Sequence, residues 1–391
     1  MKISFAEIRN QLGGFSQKTK TGIYLHYPFC LSKCPYCHFY SLTGDIELHR
    51  RWLDTIKKEI RAASEKLSDL LVIDTIYFGG GTPSLLKPEE IREILERLRE
   101  SFPAELTEVT LEANPDSCEK WLWGWREAGV NRLSVGAQSF DDEVLRILGR
   151  RHSAEKTWKF IRKARAAGFE NINLDLMIGI PGETSDTVKT NLEALNELKP
   201  EHVSVYLLEE LERVPFRGIW EKNPVSDEEL VQRYQEYRQG LQQVGYKQYE
   251  ISNFSQPGYR CQHNLKYWQY QPFLGFGPSA ASHLGPVRWQ NVAELKSWQM
   301  AVTFELLDVA EIIILNQEKS VAERLAFGLR LADGINWKKL KKEYPFFDFS
   351  EFEKKISELV SLGSLKFSKS HLRIPPEKFL IANSILAELI F

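Results

Sequence analysis

Cys30, Cys34 and Cys37 fall within eight residues, in the run Cys30-Leu-Ser-Lys-Cys34-Pro-Tyr-Cys37. Thiolates bind soft metals, so the count of three decides the chemistry. A structural zinc site draws four protein ligands, usually as two separated pairs. Three thiolates on one short loop suit a [4Fe–4S] cluster in which one iron has no protein ligand. That open iron can hold a small molecule through its amino and carboxylate groups. The competing reading is three packing cysteines, but the chain has five in all and crowds three into one loop.

Further candidates follow at regular intervals. Three glycines stand in Phe78-Gly-Gly-Gly-Thr-Pro-Ser84, a run that lets backbone approach a ligand and present its own N–H and C=O groups. Leu111-Glu-Ala-Asn-Pro115 supplies Glu112, an acid suited to a ribose hydroxyl or an ammonium. Ser134-Val-Gly-Ala-Gln-Ser-Phe140 supplies Gln138, with Arg150 soon after, and Asn173-Leu-Asp-Leu-Met-Ile-Gly-Ile-Pro-Gly182 supplies Asp175.

The elements that must position these residues repeat one pattern from residue 22 to about 210. A short β-branched run leads to a Gly, Pro or Asn loop and then an amphipathic helix. Strands are expected at 23–27, 72–78, 108–111, 132–135, 172–177 and 203–207, with helices at 46–70, 89–101, 154–167 and 184–198. Alternation of this kind implies a parallel sheet with right-handed crossovers. Six units make an α/β partial (β/α)6 barrel, and the alternation fades before eight. In such a sheet the chemistry gathers at the C-terminal strand ends, where each candidate falls.

Four regions are expected: an extension at 1–21, the partial barrel at 22–225, a barrel-associated extension at 226–304 and a smaller domain at 305–391. Ser226-Asp-Glu-Glu opens a helix over 226–244 with an N-cap serine and acids in the first turn. Helices at 320–332, 335–342 and 350–362, then short strands at 364–367 and 372–374, give the last region a winged-helix-like α+β pattern. Its lysines are offset by nearby acids, which favours an architectural role over DNA binding.

The spacing C-x3-C-x2-C resembles the radical S-adenosylmethionine (SAM) superfamily. The resemblance implies a [4Fe–4S] cluster on Cys30, Cys34 and Cys37, a reduced cluster passing an electron to the bound sulfonium, and release of a 5′-deoxyadenosyl radical. It assigns SAM-binding roles to Tyr24, Tyr36, Gly80, Gly81, Thr82, Glu112, Gln138, Arg150 and Asp175. The lead-in Tyr24-x-His26-x-Pro-Phe-Cys30 and the Gly-rich and Asp175 motifs look like the oxygen-independent coproporphyrinogen III oxidase family, from residue 22 to the C-terminus. The oxidases carry a fourth cysteine two positions after the third, whereas this chain reads Cys37-His-Phe39.

Downstream, His263-Asn-x-x-Tyr267-Trp268 resembles the signature of the family's haem chaperones, which bind haem and deliver it to respiratory proteins. Oxidative decarboxylation of coproporphyrinogen III is the alternative function. On the haem reading His263 is an axial ligand, with Cys261 a second candidate. Tyr267 and Trp268 pack on the macrocycle, and Arg260 and Lys266 meet its propionates. One segment departs from the family's pattern: Gly275-Phe-Gly-Pro278 has a proline that stiffens its turn.

Composition bounds the rest. The chain has 391 residues, 43% hydrophobic and 27% charged, as in a globular protein. Its net charge of −2 gives no argument for nucleic acid. Ten Trp and 22 Phe suit a protein that holds a flat apolar ligand. No apolar run approaches the roughly 18–20 residues needed to span a bilayer, and the start lacks the pattern of a signal or transit peptide. A reducing cytoplasm is expected, with membrane contact open only through a partner.

Overall fold

In the computed structural model, which describes residues 1–13, 18–44, 46–117, 119–209 and 214–390, six parallel strands lie in consecutive order. They are β1 (Thr19–Tyr27), β2 (Leu71–Gly80), β3 (Ala104–Ala113), β4 (Arg132–Gln138), β5 (Ile172–Ile178) and β6 (His202–Leu207). Each expected strand is present within a few residues. The reason is visible in the alternation. One face of each strand is apolar, with Ile23, Ile76, Leu111, Val135, Leu174 and Val203 in the main core beneath the helices. The other face is polar and hydrogen bonds across the interior, as in Ser134 to Asp175 at 3.2 Å and His202 to Asn173 at 2.6 Å.

The covering helices follow their apolar spacing. Pro88–Ser101 buries Ile91, Ile94, Leu95 and Leu98, each contributing about 1.5–3 kcal/mol of transfer free energy. Asp227–Gln243 begins at Ser226, whose hydroxyl and backbone form a reciprocal capping box with Glu229.

The sheet continues past β1. Strand β7 (Phe273–Phe276) pairs parallel with β1, and β8 (Ala281–Leu284), β9 (Val287–Asn291) and β10 (Leu307–Ile314) follow antiparallel. With Lys2–Ile3 at one end and Asn253–Ser255 and Lys247–Gln248 at the other, the described sheet has 13 strands. The expected domain boundary at 305 needs correction here. β10 belongs to the large sheet, because Val287–Asn291 supplies it with a hydrogen-bonding edge. The second hydrophobic cluster starts at Val321. It joins helices Gln317–Gly328, Trp337–Glu343, Ser350–Ser361 and Ala382–Ile390 to a three-stranded sheet of Ile335–Asn336, His371–Arg373 and Lys366–Ser368, the winged-helix-like arrangement expected. Among the described residues no helix is long and apolar enough to cross a membrane.

The turn at Gly275-Phe-Gly-Pro278 is held by packing at Gly277. Gly277 has φ +101°, and a Cβ there would sit 2.7 Å from the carbonyl oxygen of His26. Its N–H donates to Glu59 Oε2 at 2.8 Å, while Asn291 Nδ2 donates to Glu59 Oε1 at 2.9 Å. The segment locks the β7–β9 extension onto the helix Ile46–Leu67.

Candidate active site

The C-terminal ends of the six strands surround a cavity of 520 Å³. Cys30, Cys34, Cys37, Tyr36, Gly80, Gly81, Thr82, Glu112, Gln138, Arg150 and Asp175 all line it. Residues of four strands, the cysteine loop and the segment after Asp142–Ile147 thus meet at one cavity. Tyr24 is the exception. It stands behind the wall, its hydroxyl 3.1 Å from His26 Nδ1 and its ring stacked on Tyr77 at 6.3 Å.

The cysteine loop is tied to the glycine run by backbone. Gly81 N–H donates to the Tyr27 carbonyl at 2.7 Å and Thr82 N–H to that of Phe29 at 2.8 Å. A Cβ on Gly81 would lie 2.6 Å from the Phe29 oxygen, so only glycine permits this approach. Gly80, at φ +115°, donates its N–H to Glu112 Oε2 at 3.1 Å. These three amides are therefore engaged inside the protein. What the run could offer a ligand is carbonyl oxygen, an acceptor for an ammonium.

The three thiols fit a cluster. Thr82 Oγ1 donates to Cys30 Sγ at 3.4 Å, and Arg150 Nη1 to Cys34 Sγ at 3.5 Å. Burial pushes the Cys30 and Cys37 thiols above their ordinary range, and the nearby Lys33 cation only partly offsets it. Among the described residues no three His, Cys, Asp or Glu side chains converge on a point fit for one ion. A four-iron cluster asks for something else: thiolates spread around a larger body, each on its own iron. Arg150 anchors this wall through Asn114 Oδ1 at 2.7 Å and the Gly136 carbonyl at 3.0 Å. Its Nε is buried without a partner among the described residues.

Two carboxyl groups, Glu112 and Asp175, line the cavity as well. Burial first, and the neighbouring Asp175 second, raise Glu112 to about 7. Asp175 is also raised by burial, against hydrogen bonds from groups that include Asn173 Nδ2 at 2.7 Å. Such a pair favours a cationic guest such as a sulfonium or ammonium. Gln138 holds φ +64°, a left-handed conformation stored at the rim. Tyr77, Asn114 and Ser134 also line the cavity and were missed from the sequence. Their signal was the period-two polar face of strands otherwise read only for their apolar residues.

The His263 motif lies elsewhere. The helix Gln262–Trp268 enters the barrel interior from below, and Glu108 receives the N–H groups of Gln262 and His263 at 2.9 and 3.0 Å. His263 is 0% exposed, with Nδ1 2.9 Å from Thr75 Oγ1 and Nε2 2.9 Å from the Tyr267 hydroxyl. Burial lowers its pKa to about 3. Both ring nitrogens are hydrogen-bonded within the protein. Cys261 is equally sealed, its thiol donating to Glu108 at 3.3 Å. Lys266 is ion-paired with Asp74 at 2.8 Å in a buried setting, and Arg260 with Asp333 at 2.8 Å on the surface. Tyr267 packs edge-on against Phe273, and Trp268 faces Phe327 at 6.4 Å. The imidazole of His263 instead stacks under Tyr77 at 5.3 Å, and the Tyr77 hydroxyl donates to Glu112 at 3.0 Å. The motif braces the cavity floor.

Comparison with known proteins agrees with this architecture. Residues 24–195 match the radical SAM superfamily model. The chain is 31% identical over 372 residues to the haem chaperone HemW of Bacillus subtilis, covering 93% of this chain and 97% of that one. It is 36% identical over 325 residues to HemW of Mycobacterium tuberculosis, covering 80% and 82%. It is 33% identical to the mitochondrial radical SAM domain-containing protein 1 of Mus musculus, covering 96% and 88%. The solved coproporphyrinogen III oxidase HemN of Escherichia coli superposes with a TM-score of 0.85 at 23% identity, covering 98% of this chain and 92% of that one, a likeness of fold.

Proposed function

The chain belongs to the radical SAM superfamily and, within it, to the family of the HemW haem chaperones, and from that premise we propose that it binds haem and hands it to a respiratory protein. In this reading a [4Fe–4S] cluster sits on Cys30, Cys34 and Cys37, with SAM beside it in the 520 Å³ cavity. When bound, the cluster supplies an electron source and an open iron for the amino and carboxylate groups of SAM. The protein's own residues do the rest. Glu112 and Asp175 place negative charge opposite a cation. Arg150 sets the Tyr36 and Cys34 wall, and Tyr77 aims the Glu112 carboxylate.

The observation that carries the reading is the junction of the cysteine loop with the Gly80–Thr82 run and the two carboxyl groups in one cavity. The branch is carried by Phe39, exposed where the oxidases place a cysteine. A cluster of this kind requires a reducing compartment, so the proposed location is the cytoplasm. The test is anaerobic reconstitution with iron and sulfide, then titration with haem and, separately, incubation with coproporphyrinogen III, SAM and a reductant. Haem binding without protoporphyrinogen formation is expected. Formation of protoporphyrinogen would overturn the chaperone reading.

A further inference from the structure

Side-chain donors reach two of the three cysteine sulfurs, and one asparagine sets their order. Arg150 has only N–H groups to give, so the Asn114 side chain must turn its oxygen toward it: Nη2 donates to Asn114 Oδ1 at 2.7 Å. The Asn114 amide nitrogen then faces Thr82 and donates to its Oγ1 at 3.3 Å. Having accepted that bond, the Thr82 hydroxyl directs its own hydrogen to Cys30 Sγ at 3.4 Å. The second branch is direct, from Arg150 Nη1 to Cys34 Sγ at 3.5 Å. The chain of donors starts from a guanidinium that stays charged at any working pH, so its direction cannot reverse.

The surroundings hold this arrangement in place. Asn114 receives support through its backbone, its N–H donating to Ser84 Oγ at 3.3 Å and its carbonyl accepting from the Ser117 N–H at 2.9 Å. Pro115 follows it and restricts its backbone further. Arg150 Nη2 also donates to the Gly136 carbonyl at 3.0 Å, and a Cβ on Gly136 would crowd Asn114 Oδ1 at 3.2 Å. Thr82 is buried. Ser41, the other hydroxyl near Cys30, is turned to the Phe39 carbonyl at 3.5 Å, and Cys37 has a backbone partner at Phe39. A donor aimed at a thiolate steadies the state with more negative charge, which for an iron–sulfur cluster is the reduced one.

We propose that Asn114 is a positioning residue for the cluster: by ordering Arg150 and Thr82 it aims a donor at each of Cys30 and Cys34 and raises the reduction potential. The inference rests on the cluster reading above and adds a residue to it that acts through its two neighbours. It gives the Thr82 hydroxyl a task at Cys30, and it accounts for an amide side chain wedged between a cation and a hydroxyl.

The test uses the full chain, anaerobically reconstituted without SAM, with iron and sulfide content measured for every variant. The one-electron midpoint is read by dithionite titration with redox mediators, followed by electron paramagnetic resonance. Thr82→Val keeps the side-chain shape and removes the hydroxyl. It should shift the reduction equilibrium about tenfold toward the oxidised form, a midpoint lower by about 59 mV. Thr82→Ser should stay within about twofold of wild type. Asn114→Asp keeps an oxygen for Arg150 but offers Thr82 an acceptor in place of a donor, which draws the hydroxyl away from Cys30. Its added charge acts in the same direction, so its midpoint should fall at least as far. Because Asn114 acts through Thr82, the double variant should lower the midpoint by less than the two single shifts combined. If Asn114→Asp loads no cluster, Thr82→Val against Thr82→Ser decides. Wild type that takes up no cluster would defeat the functional reading itself. Loaded Thr82→Val within about twofold of wild type, or single shifts that add in full, would overturn this inference alone.

Discussion

Replacing Tyr77 by Phe should move the pH dependence of SAM binding. Glu112 stands at about 7, raised by burial and by Asp175 and held down by the Tyr77 hydroxyl and the Gly80 amide. A cationic ligand favours ionised Glu112, so affinity should rise with pH and level off above about 7, weakening by up to tenfold per pH unit below it. Tyr77→Phe keeps the ring between Tyr24 and His263 but removes the donor 3.0 Å from Glu112 Oε1. A hydrogen bond to a charged group contributes about 1.5–3 kcal/mol. At about 1.4 kcal/mol per pH unit, the midpoint should climb by roughly one to two units. At neutral pH the ionised fraction then drops from about a half to about a tenth or below, and SAM should bind about fivefold more weakly or worse. Full affinity should return in alkaline buffer. Calorimetric titration of anaerobic, cluster-loaded protein from about pH 6 to 9 measures this. Parallel profiles for wild type and variant, or a flat wild-type profile, would refute the reasoning.

Three other outcomes are expected. His263→Ala leaves the Thr75 and Tyr267 hydroxyls unpaired and a void under Tyr77, and should cost about 3 kcal/mol in urea unfolding, whereas a loss below about 1 kcal/mol would contradict the bracing role. Gly81→Ala drives a Cβ to 2.6 Å from the Phe29 oxygen and should lower bound iron per protein with the circular dichroism unchanged; a full iron complement would dismiss the coupling of the two loops. Glu250, buried and raised to about 7, stabilises the fold most when protonated, and that contribution is lost as pH rises from about 4.5 through 7. Glu250→Gln should flatten the decline in unfolding free energy between mildly acidic and alkaline buffer, by up to about 3 kcal/mol, and an unaltered slope would exclude the group.

The strand–helix alternation was legible because half of each strand and one face of each helix must be apolar, and that pattern survives in the sequence without neighbours. The cavity was legible because its residues sit at strand ends, which the topology collects at one mouth. What stayed hidden is three-dimensional. Nothing in His263-Asn-x-x-Tyr-Trp says that Thr75, far earlier in the chain, takes one imidazole nitrogen while Tyr267 takes the other. The placement of Tyr24 was hidden for a similar reason: its stacked neighbour Tyr77 is the one that lines the cavity. β10 was overlooked because the strand that completes it, Val287–Asn291, lies in a segment of short, irregular pieces.

The ends of the large sheet carry a consequence for how this protein meets others. Its terminal strands, Lys2–Ile3 and Lys247–Gln248, are two residues long and each begins with a lysine. Lys2–Ile3 pairs only with Asp308 and Leu307, so the outer edge of β10 from Ala310 to Ile314 has no strand beside it among the described residues. An uncovered edge of that length is a template on which a strand from another chain, or from a second copy, can extend the sheet.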